Sequence, residues 1–258
     1  MKITVVTVNY NNKIGLERTI KSVSEQDYPD KQFLIIDGGS NDGSLDVILS
    51  HESTIDYYCS EKDNGVFHAM NKSLDKASGE YIIFMNSGDI FHESDSLRAL
   101  AAGAAQKPDF VYGDIFFEDE NGKRTRQNFP DNLSFSFLFK KFLPHQATLT
   151  RSQLLKEKGG YDLSYKITAD SVFIKREIAL FGASYIHVDA VIAVCELGGL
   201  STDDARFGEL RRSEKQRFWD SDFALFKDDY IRLFELEQEL SKKQEVSFLQ
   251  KIRKKLLG

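Results

Sequence analysis

The chain alternates short strand-like runs with helix-like segments, and this alternation restricts the fold more than any other feature of the sequence. Four apolar or aromatic runs have the length of buried strands: Ile3 to Val8, Phe33 to Ile36, Asp56 to Ser60 and Tyr81 to Met85. Between them, Leu16, Ile20 and Val23 recur at helical spacing, and a second helical face extends from Val66 to Ala77 and stops before Gly79. Such repeats predict an α/β domain in which helices cover a parallel or mixed sheet.

The second half of the chain is less regular, but it continues to mix strands and helices. A hairpin is predicted around the turn Asn121-Gly122, and residues Asp170 to Leu180 have helical periodicity. Helical periodicity returns at Phe226 and persists to the end of the sequence. We therefore predict one α/β domain over residues 1–205 and a C-terminal helical extension over residues 206–258.

Charge and cysteine content restrict the environment and the partners. The net charge of −6 disfavours general binding of nucleic acid. This charge is uneven, because residues 241–258 carry +5 and the rest of the chain carries −11. Cys59 and Cys195 stand far apart without a C-x-x-C motif, which favours neither a disulfide framework nor a zinc site. This cysteine content is typical of a reducing compartment, so we predict a cytoplasmic protein. No apolar run approaches the length of a membrane span.

Polar side chains follow each of the four strand-like runs. Asn9 follows the first run, Asp37 the second, Asp63 the third, and Asn86 and Asp89 the fourth. Because ligands of α/β sheets bind beyond the carboxyl ends of the strands, we expect these residues to form one site. No G-x-G-x-x-G or Walker motif follows the first run, which disfavours dinucleotides and Walker-type triphosphate binding. The pattern instead suits a nucleoside diphosphate whose charge is neutralised by a divalent cation on Asp89.

Several segments occur in a recognisable order between residues 3 and 202. They are Thr7-Val8-Asn9-Tyr10-Asn11, Ile36 to Gly43, Ser60 to Gly65, Ala69-Met70-Asn71-Lys72, Phe84 to Asp89, His145-Gln146-Ala147-Thr148, Gly160-Tyr161-Asp162 and Ala169-Asp170. Together they resemble the motifs of family 2 glycosyltransferases of the GT-A fold, and most closely the bacterial enzymes that build surface polysaccharide. The resemblance implies an inverting transfer of sugar from a nucleotide sugar, a UDP-sugar by expectation, to a glycan or lipid-linked glycan acceptor.

The resemblance also implies roles for individual residues. The nucleotide sugar would be bound by Thr7, Asn9, Asp37, Asp63, Asn71, Asn86, His145 and Gln146. Asp89 would be the last acid of the D-x-D motif and would hold Mg²⁺ or Mn²⁺. Asp170 would be the base that deprotonates the acceptor hydroxyl, a group that direct displacement at a sugar carbon requires.

Some positions leave alternatives open. The first acid of D-x-D is Ser87 in this chain, so the cation would be held more weakly, through Asp89, phosphates and water. Asp170 also suits a helix N-cap, and His145 also suits a structural role. The segment 198–202 is predicted either as a loop that closes on the diphosphate or as an ordinary turn.

Two competing functions and several uses of the tail remain open at this point. A sugar nucleotidyltransferase is disfavoured by the Asn-Tyr-Asn-Asn loop, which lacks the glycines and basic residues that bind a triphosphate. A carbohydrate- or nucleotide-binding protein with a weakened site is favoured by Ser87 and disfavoured by the retained aspartates. In the tail, basic residues surround an apolar helical face. This face consists of Phe248, Leu249, Ile252 and Leu256. This face predicts peripheral docking on the inner face of the plasma membrane, packing on the domain or a second subunit, or a frayed and solvated end.

Overall fold

The structure of the protein is a computed structural model that describes residues 1–199 and 202–257, and the side chains of residues 241 and 244–257 lie outside that description. The described chain divides into two compact units, Met1–Arg211 and Arg212–Gly258. The boundary predicted between residues 205 and 206 lies six residues before this division. Of the predicted loop at 198–202, Leu200 and Ser201 lie outside the described residues.

The first half of the larger unit is a parallel sheet with intervening helices. Its elements are β1 (Ile3–Asn9), α1 (Lys13–Ser24), β2 (Lys31–Asp37), α2 (Ser44–Ser50), β3 (Tyr57–Ser60), α3 (Val66–Ser73) and β4 (Tyr81–Phe84). Strand β1 pairs in parallel with β2 and β4, and β2 pairs in parallel with β3. Every residue of β1 and β4 is buried, as expected for strands that are covered on both faces. The carboxyl ends of these strands therefore meet at one edge of the sheet.

The second half of the unit extends the sheet with antiparallel and parallel pairs. It contains β5 (Ile90–Phe91), α4 (Ser96–Gly103), β6 (Phe110–Glu118), β7 (Arg124–Gln127), α5 (Phe135–Lys140), β8 (Thr148–Arg151), α6 (Ser152–Glu157), α7 (Ala169–Phe181) and β9 (Tyr185–Glu196). The strand order is β3-β2-β1-β4-β8-β6-β9-β5, and β7 pairs with β6 as the predicted hairpin. The predicted mixed sheet flanked by helices is thus confirmed.

Two helices extend from the end of the larger unit through the smaller one: α8 (Asp204–Asp222), which spans the division, and α9 (Ala224–Leu257). Within the smaller unit, the rings of Phe218, Trp219 and Phe223 contact one another at centroid distances of 4.9–5.6 Å. Helix α9 leaves large apolar side chains exposed at Leu225, Phe226, Leu233, Leu236 and Leu240. The predicted apolar face at 248–256 falls on side chains outside the description. None of the described helices combines the length and the apolar character needed to cross a membrane.

The pairing of β6 with β9 depends on a glycine where the register shifts. An irregularity separates Tyr112 from Asp114 on β6, and Gly113 lies between them. A Cβ atom on Gly113 would lie 2.6 Å from Cγ1 of Ile192 and 2.7 Å from the carbonyl oxygen of Ala190. The contact with the carbonyl is a contact with backbone, which cannot rotate away, so β9 approaches β6 closely only because residue 113 lacks a side chain.

We predict that Gly113→Ala lowers the free energy of unfolding by about 1–3 kcal/mol, since an added methyl group in a packed interior forces the backbone to move. Urea denaturation followed by circular dichroism measures the change. Gly199→Ala is the matched control, because a Cβ there meets nothing within 4 Å. Equal stability of the two variants would contradict the close approach of β9.

Candidate active site

Asp37, at the carboxyl end of β2, is the centre of a buried hydrogen-bond cluster. Its Oδ1 accepts from Nδ2 of Asn9 (2.7 Å) and from Oγ of Ser40 (2.5 Å). Its Oδ2 accepts from Oγ of Ser60 (2.6 Å) and from the backbone N–H groups of Gly39 (3.2 Å) and Ser40 (2.9 Å). Burial alone would raise the pKa of Asp37, but the hydrogen bonds outweigh it and hold the pKa below its usual value. An ionised carboxylate therefore joins the ends of β1, β2 and β3.

Thr7 and Asn9 lie beneath the surface of the site. Thr7 is fully buried and Asn9 is 3% exposed. Within the described residues, neither Oγ1 of Thr7 nor Oδ1 of Asn9 has a hydrogen-bond partner. The amide of Asn9 instead supports Asp37 through its Nδ2. Direct contact of Thr7 and Asn9 with a nucleoside stays a prediction. The geometry gives Asn9 the role of orienting Asp37.

Tyr10 and Asp63 both lie next to Gly38, beside this cluster. A Cβ atom on Gly38 would lie 2.6 Å from Oδ2 of Asp63 and 3.2 Å from Cδ2 of Tyr10. The Tyr10 residue is 67% exposed, and Oδ1 of Asp63 accepts a hydrogen bond from the N–H of Gly65 at 2.9 Å. A solvent-facing aromatic ring and a carboxylate thus lie close together beside a glycine, an arrangement that suits a flat polar ring. Tyr10 had no predicted role, although its position directly after the polar end of β1 was a signal.

The turn after β4 is held in place by two side chains from the first helix and its cap. Oγ1 of Thr19 donates to the carbonyl of Asp89 (2.7 Å) and accepts from the N–H of Gly88 (3.1 Å). Nδ2 of Asn12, the N-cap of α1, donates to the carbonyl of Ser87 (3.0 Å). Gly88 has a φ of +105°, a conformation that favours glycine. The turn is therefore a fixed feature of the fold.

The carboxylate of Asp89 points inward from this turn and is 8% exposed. Its Oδ2 accepts from Nε2 of Gln146 (2.8 Å), and its Oδ1 accepts from the backbone N–H of Glu196 (3.1 Å). Burial raises the pKa of Asp89 to about 6, and the hydrogen bond from Gln146 acts in the opposite direction. A positive charge at this carboxylate would favour its ionised form.

His145 connects the same turn to Asp170. Its Nε2 lies 3.1 Å from Nδ2 of Asn86, and its Nδ1 lies 2.7 Å from Oδ2 of Asp170. Because an ionised carboxylate can only accept, Nδ1 donates to Asp170. The geometry gives His145 the role of orienting Asp170. The N-cap of α7 is Thr168, so the alternative that Asp170 itself caps the helix is wrong.

Two consecutive residues therefore join two carboxylates that lie far apart in the sequence. His145 and Gln146 belong to one short 3₁₀ turn, His145–Ala147. The first contacts Asp170, and the second contacts Asp89. Any displacement of this turn would move both carboxylates together.

Asn71 and His187 lie in structural settings. The side-chain amide of Asn71 donates to the carbonyl of Tyr161 (2.8 Å) and accepts from its N–H (2.8 Å). Asn71 thus holds the backbone that follows Gly160, and a role in binding the donor stays a prediction. His187 contacts Asp131 (2.6 Å) and lies 3.4 Å from Asp114, so its ring is bonded within the fold.

The residues near Asp89 offer few protein ligands to a divalent cation. In the described part of the chain, no group of three or more His, Cys, Asp or Glu side chains is placed to hold a metal ion. Mg²⁺ and Mn²⁺ sites of nucleotide enzymes, however, commonly use one or two carboxylates together with substrate phosphates. A Cβ atom on Gly88 would lie 2.6 Å from Oε2 of Glu196, so a second carboxylate occupies the space that glycine leaves beside Asp89. This donor set fits a cation that arrives with a diphosphate.

Comparison with known proteins places these features in a family. The chain matches the model of glycosyl transferase family 2 over residues 4–160. An uncharacterised glycosyltransferase of Mycobacterium tuberculosis is 32% identical over 216 residues, which cover 81% of this chain and 82% of that protein. A PGL/p-HBAD biosynthesis glycosyltransferase of Mycobacterium bovis is 30% identical over 213 residues, which cover 77% of this chain and 78% of that protein.

Solved structures share the fold. TarS residues 1–349 from S. aureus, in complex with UDP-GlcNAc, superimposes with a TM-score of 0.67 at 18% identity, covering 86% of this chain and 67% of that chain. The mannosyltransferase PcManGT from Pyrobaculum calidifontis, in complex with GDP-Man and Mn²⁺, gives a TM-score of 0.60 at 20% identity, covering 76% and 56% of the two chains. The chain thus spans between about half and two thirds of these solved chains, and the likeness is one of fold.

We predict that Asp37→Asn lowers the free energy of unfolding at pH 7 by about 1–3 kcal/mol, because an amide nitrogen cannot accept the hydrogen bonds that one carboxylate oxygen receives. The pKa of Asp37 is lowered in the folded protein, so its stabilising contribution is present above the unfolded pKa of about 3.9 and is lost as the pH falls through the folded value. Urea denaturation from pH 7 to pH 3 measures both effects. A difference between wild type and variant that stays constant below about pH 4 would show that the carboxylate charge does not stabilise the cluster.

Proposed function

The chain belongs to glycosyl transferase family 2, and from this premise we propose that it is an inverting enzyme of surface-glycan synthesis. It transfers a sugar from a UDP-sugar to a glycan or lipid-linked glycan acceptor. The observation that supports this most directly is the 3₁₀ turn His145–Ala147, which joins Asp170 to the strand-end turn of Asp89. Such a link holds an acceptor-side base in fixed relation to a donor-side carboxylate.

The nucleoside would bind at Tyr10, Gly38 and Asp63. The exposed ring of Tyr10 offers a face for stacking the base, and the carboxylate of Asp63 accepts hydrogen bonds from the base or the ribose. The Asp37 cluster fixes the loops after β1 and β3, which carry Tyr10 and Asp63, relative to each other. The UDP and UDP-GlcNAc complexes of TarS support a uridine donor, and the GDP-Man complex of PcManGT supplies the alternative that an experiment must exclude.

The diphosphate would lie over the turn that ends at Asp89, together with Mg²⁺ or Mn²⁺. When bound, such a cation neutralises the phosphates and stabilises the charge that develops on the leaving nucleotide. Gln146 and the N–H of Glu196 keep the Asp89 carboxylate in one orientation. The protein's own part is to present that carboxylate next to the diphosphate.

Asp170 would act as the base. It takes the proton of the acceptor hydroxyl, the hydroxyl oxygen forms a bond to the anomeric carbon, and the bond between that carbon and the diphosphate breaks. One displacement of this kind inverts the anomeric centre. The hydrogen bond from Nδ1 of His145 occupies Oδ2 of Asp170 and fixes the direction of the carboxylate.

A panel of nucleotide sugars tests the donor class. Melting temperatures are measured with UDP-, GDP-, CMP- and dTDP-sugars, each with Mn²⁺ and with EDTA. A ligand that binds the folded state raises its stability with the logarithm of ligand concentration, so UDP-sugars should give the largest shift. If only GDP-sugars raise the melting temperature, the donor nucleoside is guanosine and not uridine. If no nucleotide sugar raises it, the result favours a protein that does not bind a donor.

We predict that Asp170→Asn lowers the rate of sugar transfer by roughly 10²–10⁴-fold, the contribution typical of a general base. Affinity for UDP should stay unchanged, because Asp170 acts on the acceptor. Release of UDP in the presence of acceptor measures the first quantity, and calorimetry measures the second. Asp189→Asn, at an exposed position of β9, is the control, and equal rates in the two variants would remove Asp170 from the mechanism.

For its location, we propose that the enzyme is cytoplasmic and attaches peripherally to the inner face of the plasma membrane. The apolar side chains that helix α9 exposes include Phe226 (61%) and Leu240 (59%). The sequence that follows carries the basic residues of the tail. Apolar and basic groups on one helix suit an anionic membrane surface, and a lipid-linked acceptor would give that attachment a use.

We predict that the full chain co-sediments with vesicles that contain anionic lipid and much less with phosphatidylcholine vesicles. A chain that ends at Leu240 should lose most of the binding, because each basic residue near an anionic leaflet contributes about 1 kcal/mol. Equal sedimentation of both chains, or of neither at low salt, would exclude the membrane and leave a protein interface as the use of the tail.

A further inference from the structure

The pairing of β5 with β9 brings a glutamate to the turn of Asp89. Ile90 lies opposite Val194 and Phe91 lies opposite Ala193 in an antiparallel pair. The same register, continued by two residues, places Gly88 opposite Glu196. The hydrogen bond of 3.1 Å from the N–H of Glu196 to Oδ1 of Asp89 shows that the two segments remain in contact beyond the end of β5.

The side chain of Glu196 extends across this turn. Its Oε2 lies 2.6 Å from the position that a Cβ atom on Gly88 would take. Its other oxygen, Oε1, lies 3.8 Å from Nη1 of Arg18, and the side chain is half exposed. One carboxylate oxygen therefore lies beside the glycine of the turn, and the side chain keeps half of its surface in solvent.

Arg18 does not account for this placement of Glu196. Nη2 of Arg18 makes a closer ion pair, at 2.8 Å, with Glu118. Glu118 also pairs with Arg124 at 2.9 Å and is largely buried. At 3.8 Å and with half of its side chain in solvent, the Arg18–Glu196 pair contributes little to stability. The position of Glu196 therefore calls for another explanation.

We propose that Glu196 supplies the second carboxylate to a divalent cation that binds with the donor diphosphate. It would replace the acid that is absent at Ser87, where the turn itself retains only Asp89. Two carboxylates with substrate phosphates are a donor set that Mg²⁺ and Mn²⁺ use in nucleotide enzymes. The inference rests on the proposed function, because the phosphates come from the nucleotide-sugar donor.

Binding of Mn²⁺ tests the inference without relying on activity. The electron paramagnetic resonance signal of free Mn²⁺ is titrated with protein and UDP, and calorimetry measures UDP affinity with Mn²⁺ and with EDTA. Glu196→Gln should weaken Mn²⁺ binding on the order of tenfold or more, the range of losses at metal sites. UDP affinity in EDTA should equal that of the wild type, which also shows that the variant is folded. Glu196→Ala serves as a second variant with the same expectation.

Glu118→Gln is the matched control, because it removes the closer partner of Arg18 and should leave Mn²⁺ affinity unchanged. Equal Mn²⁺ affinity in wild type and Glu196→Gln would overturn the inference, and so would an equal loss in Glu118→Gln. A wild type that binds UDP without any effect of Mn²⁺ would also overturn it and leave the proposed function intact. Failure of the wild type to bind UDP at all would instead contradict the proposed function.

Discussion

The parallel strands of this protein end at one edge, and the buried carboxylate of Asp37 keeps that edge together. An ionised group without solvent contact is tolerated only when its lone pairs are satisfied. Five hydrogen bonds from Asn9, Gly39, Ser40 and Ser60 satisfy them. The loops that follow β1, β2 and β3 are thereby fixed relative to one another, and the positions of Tyr10 and Asp63 follow from that constraint.

The second half of the site depends on local geometry in a different way. In a 3₁₀ turn, successive side chains point in different directions, so His145 and Gln146 can reach separate carboxylates. The turn directly precedes β8, which pairs with β4 and β6 inside the sheet. Through His145 and Gln146, the sheet therefore holds both Asp170 and Asp89 in place. This is so although Asp170 lies in the first turn of α7, on a different segment. Precise placement of a base and a donor-side group is what displacement at a sugar carbon requires.

The sequence predicted the sheet and the polar strand ends because both depend on short-range patterns. Apolar runs such as Tyr81 to Met85, followed by Asn86 and Asp89, identify buried strands and their exits without knowledge of the partner strands. The contact between His145 and Asp170 could not be predicted in this way, since it depends on how α7 packs. Asn71 shows the same limit, because a motif position cannot reveal that its amide is bonded to the backbone of Tyr161.

Glu196 was missed for a topological reason. A motif such as D-x-D is defined by spacing along the chain, whereas the β5–β9 register brings Glu196 to Gly88 across more than a hundred residues. The glycine then has two functions, since its φ of +105° forms the turn and its missing side chain leaves room for the carboxylate. Any side chain at residue 88 would both strain the backbone and displace Glu196. In the proposed cation site, the serine at residue 87 and the glycine at residue 88 are therefore parts of one arrangement, in which the sheet, rather than the turn, would provide the second carboxylate.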